Sequence, residues 1–157
     1  MIILRSQVAG SSAGALERFA RRALRAVGLR GEVDVLVTGN AEVRRLNRRF
    51  RGQDEATDVL SFPAADGDAG DIAISAPVAV ANARRLGHSV ADELKILILH
   101  GLLHLAGYDR EHDRGEMARR EARLRQALGL PASLLERGHG AALRAQPARK
   151  PRQRRSP

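Results

Sequence analysis

The stretch Leu94-Lys95-Ile96-Leu97-Ile98-Leu99-His100-Gly101-Leu102-Leu103-His104-Leu105 decides the fold. Its apolar residues run almost all the way round a helical wheel, leaving no polar stripe for solvent. A helix of that kind lies buried in the centre of a domain. The pattern predicts a helix over residues 90–106. Ser89 and Asp92, three apart, resemble a capping box at its start, and Gly107 marks its end.

Working outward, each flank supplies a layer for this helix. Upstream, Ser75 is placed to cap a helix with Pro77 in its first turn, ending near Gly87. Before it, Asp71-Ile72-Ala73-Ile74 alternates as a strand does. Asp58-Val59-Leu60-Ser61-Phe62 reads as another strand, ended by Pro63 and joined to the first through a Gly- and Asp-rich turn over residues 64–70. The two are expected to form a hairpin. Further back, Val33, Val35 and Val37 alternate within residues 32–38, and Asn40 is placed to cap a short helix through Phe50. Leu16, Phe19, Ala20, Ala23, Leu24 and Val27 repeat at helical spacing, with Ser11 or Ser12 as cap and Gly28 as stop. Residues 1–4 read as a first strand. Downstream, Met117, Leu124 and Leu128 form the inner stripe of a last helix over residues 114–128. The chain contains no internal repeat. The expected fold is α/β (α+β-like): a single domain with a small mixed four-stranded sheet, helices packed on it, and a central buried metal-binding helix.

The chain's 157 residues suffice for one domain with a real core. It has no cysteine, which excludes disulfides and thiolate metal sites. No stretch is long and apolar enough to span a bilayer, and Met1-Ile2-Ile3-Leu4-Arg5 lacks the layout of a secretory signal. A cytoplasmic protein is expected. The net charge of +9 is unevenly placed: residues 137–157 carry +7 and the preceding 136 residues +2. The expected division is therefore a folded domain over 1–136 and a basic tail over 137–157 with the composition of a disordered segment. The tail is either a sequence-independent contact for RNA phosphates or a solvated extension.

Within the central helix, His100 and His104 are four residues apart, so both imidazoles leave the same face one turn from each other. One such histidine on an apolar helix is usually a hydrogen-bonded core residue. Two favour a shared metal, since each would otherwise need its own buried partner. A third histidine, His112, follows the helix. Three imidazoles and an open fourth position make a catalytic zinc arrangement. The metalloprotease version of the spacing has a glutamate after the first histidine. Here that residue is Gly101, which argues against a peptidase and leaves the base unassigned. Neutral ligands leave the metal's full charge for an anionic substrate, and a phosphodiester suits that better than a peptide. Arg48, Arg49 and Arg51 offer phosphate clamps, although by composition alone an ordinary solvated helix face is the better reading. Asp58 could orient a histidine ring or simply begin a strand. Ser61 has no nucleophile-elbow context. His88 and His139 read as surface residues.

Four segments in order carry a resemblance: Leu46-Asn47 to Arg51; Thr57-Asp58-Val59-Leu60-Ser61-Phe62-Pro63; Gly70-Asp71-Ile72-Ala73-Ile74-Ser75; and His100 to Asp109 through Gly107-Tyr108. Together they resemble the signatures of the YbeY family, bacterial metal-dependent endoribonucleases of rRNA maturation, over about residues 30–130. The resemblance implies a zinc-bound endoribonuclease directed at single strands. It would act in 16S rRNA 3′-end processing, ribosome quality control and late small-subunit assembly, with rRNA and the small subunit as partners and neither DNA nor membrane. It puts the first two metal ligands on His100 and His104, and a phosphate-contacting arginine on Arg51. The family's third metal histidine directly follows Gly-Tyr-Asp, where this chain has Arg110. Three alternatives stand: His112 replaces it, Asp109 does, or the metal is weak or absent with Arg110 near its place. The other functional class is a non-catalytic assembly factor binding the small subunit. A peptide hydrolase ranks last. With three Phe, one Tyr and no Trp, the chain offers little for base stacking. RNA binding should therefore rest on phosphates and weaken with salt.

Overall fold

The computed structural model describes residues 1–8, 10–55, 57–109 and 111–132. The basic tail expected over 137–157, His139 and Arg110 lie outside the described residues. The elements run β1 (Ile2–Leu4), α1 (Ala13–Val27), β2 (Val33–Thr38), α2 (Asn40–Arg51), β3 (Val59–Pro63), β4 (Gly70–Ser75), α3 (Ala76–Leu86), α4 (Val90–Leu105) and α5 (Glu116–Ala127). The mixed α/β domain follows the expected sequence of elements closely.

The caps explain most of the boundaries. The hydroxyls of Ser12, Ser75 and Ser89 accept hydrogen bonds from the backbone N–H of Ala15, Val78 and Asp92 at the starts of α1, α3 and α4. Gly28 ends α1 in the left-handed region (φ 93°), which a side chain would disfavour. At α5 the Asp113 carboxylate accepts from the N–H of both Gly115 and Met117, so the helix begins two residues later than its apolar stripe predicts. Asn40 is a correction. Gly39 is the capping residue of α2, in extended conformation, and Asn40 is the first helical residue. The Asn40 amide oxygen instead accepts the Ser75 hydroxyl at 2.5 Å, tying α2 to the start of α3.

The sheet order is β1-β2-β4-β3. β1 and β4 flank β2 in parallel, while β3 pairs antiparallel with β4 as the expected hairpin. β3 is therefore an edge strand. Alternation sends Ile72 and Ile74 to one face and Ala73 to the other. On the first face they join Val33, Val35 and Val37 beneath α4, whose Leu94, Ile98, Leu99, Leu102 and Leu103 have no exposed surface. α1, α3 and α5 pack around α4. On the second face, α2 alone contributes Val43 and Leu46 to a small cluster with Leu60, Phe62 and Ala73. The central helix is thus buried as its sequence predicts, and it lies against β3 and β4.

Candidate metal centre

His100 and His104 lie on one face of α4, with their Nε2 atoms 3.2 Å apart and ring centroids 4.8 Å apart. His100 is half-buried and His104 is exposed. His100 is fixed from behind: its Nδ1 donates to Glu121 Oε1 at 2.9 Å, and Arg125 donates to the other carboxylate oxygen at 2.7 Å. Glu121 is buried. A carboxylate at Nδ1 sets the tautomer and turns the Nε2 lone pair outward, as in histidines that bind metals. Two nitrogens on one tetrahedral zinc at ~2.0–2.1 Å lie about 3.3 Å apart. The separation in this pair matches, so its donor type, spacing and support all fit zinc.

Gly101 explains why no glutamate follows His100. A Cβ there would sit 2.9 Å from Ile72 Cδ1, 3.1 Å from Ile72 Cγ2 and 3.1 Å from Ser61 Oγ. The residue points into the sheet, and the Ser61 hydroxyl donates to its carbonyl at 3.0 Å. Close packing of α4 on β3 and β4 favours a very small residue at this point, and position 101 faces the sheet, so it supplies no base to the histidines.

His112, expected as a third ligand, stands apart from the pair. His112 Nδ1 lies 2.5 Å from Asp109 Oδ2, and the ring is exposed. That contact lowers the Asp109 carboxyl below its ordinary range and raises the His112 imidazole above its own. Among the described residues no three His, Asp or Glu side chains converge on one point. Arg51 ends α2 as an exposed residue followed by Gly52. Its helix, α2, covers the sheet face opposite α4.

Further polar groups line the same side of α4. Glu93, buried about two turns before His100 and three before His104, contacts His88 Nε2 at 2.6 Å and accepts from the Asn82 amide at 3.2 Å. His88 is therefore a correction: its ring is only 7% exposed and belongs to the interior. Asp58 stands near both Glu93 and His100. Burial pushes its carboxyl up and Glu93 adds to this, while His100 opposes it. Glu121 escaped the sequence reading, although a signal was present. Met117, Glu121, Leu124 and Leu128 share one helical stripe, and a carboxylate inside an apolar stripe calls for a buried partner.

The family model for "Endoribonuclease YbeY" matches residues 6–129. The chain belongs to the YbeY family. The match begins well before the motifs that first suggest it and covers most of the YbeY-family domain described above. A YbeY relative named "Endoribonuclease YbeY" from Koribacter versatilis (strain Ellin345) is 59% identical over 138 residues, covering 87% of this chain and 91% of its own. Another of the same name from Solibacter usitatus (strain Ellin6076) is 55% identical over 123 residues, covering 78% and 84%. The solution structure of TM1509 from Thermotoga maritima superposes with a TM-score of 0.58 at 30% identity, covering 82% of this chain and 89% of that one. Among the described residues no helix is long and apolar enough to cross a membrane.

Proposed function

We propose that this chain is a zinc-dependent endoribonuclease that cuts single-stranded RNA in the cytoplasm, in 16S rRNA 3′-end maturation and ribosome quality control. Its partners would be rRNA and the small ribosomal subunit. The observation that carries the reading is the His100–His104 pair held on the buried Glu121 carboxylate. Family membership supports the nuclease activity, since the relatives bear that name.

Bound at this pair, zinc would act as a Lewis acid toward a phosphodiester oxygen. Glu121 keeps His100 in one tautomer and one orientation. The contact at Gly101 seats α4 on the sheet, so the two imidazoles are carried by a helix buried in the main core. Arg51 has no ion-pair partner among the described residues, and its guanidinium would take a phosphate in two-point geometry. An RNA strand reaching both Arg51 and the histidines would cross the β3 edge. His112 is our choice for the third ligand, through its remaining nitrogen, with Asp109 supporting it as Glu121 supports His100.

Zinc per chain, measured in untagged protein never exposed to chelator, tests this for wild type, His100→Ala and His112→Ala. We expect about one zinc in wild type and far less in both variants. Cleavage should favour single-stranded over duplex RNA and disappear with the metal. Zinc retained in His112→Ala would move the third position to Asp109. A second reading is a non-catalytic assembly factor, favoured by Arg110 standing where the family pattern has histidine. It predicts ribosome binding that survives His100→Ala, with no cleavage by the wild type.

A further inference from the structure

Phe50 is one of three large apolar side chains left exposed among the described residues, at 59%. Its ring is held. It meets Phe62 edge-to-face at 5.4 Å between centroids, and the Arg49 guanidinium lies 5.3 Å from its centre. Arg51 follows it directly. The arginines earlier in α2 have protein carboxylates: Arg44 and Arg48 face Asp54, and Arg45 faces Glu42. Arg49 and Arg51 have none among the described residues, so the cationic groups beside Phe50 are the ones available to a polyanion.

The edge strand joins this spot to the histidines. Ser61 of β3 faces α4 and bonds the carbonyl of Gly101, next to His100. Phe62, one residue on, faces the other way and supports Phe50. Adjacent strand residues point to opposite faces about 3.3 Å apart along the strand. The aromatic ring and the metal pair therefore stand at the same level on either side of one sheet edge.

We propose that Phe50 is a stacking seat for an unpaired nucleobase of single-stranded RNA, with Arg49 and Arg51 taking the flanking phosphates. The inference rests on the function proposed above and adds the surface that selects single strands. A base in a duplex is already stacked on its neighbours; an unpaired one presents a face to an aromatic ring. The scarcity of aromatics in the chain is then no obstacle, because a single well-placed ring suffices to hold one base.

The test uses the full chain and a 2′-O-methyl oligouridylate, which resists cleavage, alongside an abasic sugar-phosphate oligomer of equal length. Phe50→Ala should weaken oligouridylate binding by roughly fivefold or more and leave the abasic oligomer unaffected. Phe50→Leu keeps an apolar contact with Phe62 but has no aromatic face, and should bind as Phe50→Ala does. Because the chain has no tryptophan, Phe50→Trp installs a sole reporter, whose fluorescence should be quenched by oligouridylate and not by the abasic oligomer. Equal binding of both oligomers by wild type and Phe50→Ala would overturn the seat. So would wild-type behaviour of Phe50→Leu. Wild type that binds neither oligomer would remove the RNA reading itself, and the seat with it.

Discussion

The two faces of the sheet are built differently, and the proposed site is divided between them. One face is covered by α1, α3, α4 and α5 around a continuous apolar core, and it holds His100 and His104. The other is covered by α2 alone over a cluster centred on Val43, Leu60 and Ala73, and it holds Phe50 and Arg51. Groups that must share one metal need positions fixed to a fraction of an ångström, and the thick face provides them. Groups that meet a flexible polyanion tolerate more movement, so a single helix with few buried contacts can carry them.

The sharpest way to break the thick face is at its closest approach. Gly101→Glu would drive a carboxylate against Ile72 and Ser61. Overpacking and an unpaired buried charge together should cost at least about 4 kcal/mol, read as a lost or strongly lowered urea midpoint. A variant as stable as wild type would mean α4 is not seated as closely on the sheet as Gly101 implies.

Equal truncations then compare the two faces directly. Leu102→Ala removes a side chain with no exposed surface from the large core, and Leu60→Ala removes one that is 3% exposed from the small cluster. We expect about 4 kcal/mol for the first and about 2 kcal/mol for the second, because a site with fewer neighbours collapses more easily around the cavity. Equal losses in chemical denaturation would mean the second face is as rigid as the first.

A subtler change separates metal affinity from folding. Glu121→Gln keeps the shape of the side chain while weakening its hold on His100 Nδ1 and on Arg125. Zinc affinity should fall about 10–100-fold, as measured by competition with a chromophoric chelator. Unchanged affinity would reduce Glu121 to a packing role.

These differences show what the sequence can and cannot reveal. The thick face was legible because its signals are local: the apolar run of α4, the alternating valines of β2, and the serine caps at residues 12, 75 and 89 each act within one turn or one strand. The strand order was not, since nothing local in Val33–Thr38 specifies that both β1 and β4 will pair with it. The histidine pair was visible because both residues share one helix. Its support was not, because Glu121 is 21 positions from His100. His88 was misread for a related reason: between Gly87 and Ser89 it resembles a linker residue, and only its approach to Glu93 reveals burial. Asn40 shows that a good capping residue can be drawn away by a distant hydroxyl, leaving its glycine neighbour to begin the helix.

The thin face also depends on polar ties, which gives the smallest expected effect. Glu42 of α2 accepts from the Thr38 hydroxyl at the end of β2 at 2.7 Å and from Arg5 beyond β1 at 2.9 Å. The Thr38 bond, followed by the Arg5 and Arg45 charges, holds its carboxyl below the usual glutamate range despite some opposing burial. An acid whose folded value is depressed contributes stability above its unfolded value and loses it as pH falls through the folded one. Wild type should therefore exceed Glu42→Gln by up to about 1 kcal/mol at neutral pH, since Arg5 is largely open to solvent. The gap should begin to close as acid enters the usual glutamate range and vanish below the lowered value. Urea midpoints of both proteins across that window give the result. A gap independent of pH would mean that Glu42 ties α2 to the sheet by its shape and not by its charge.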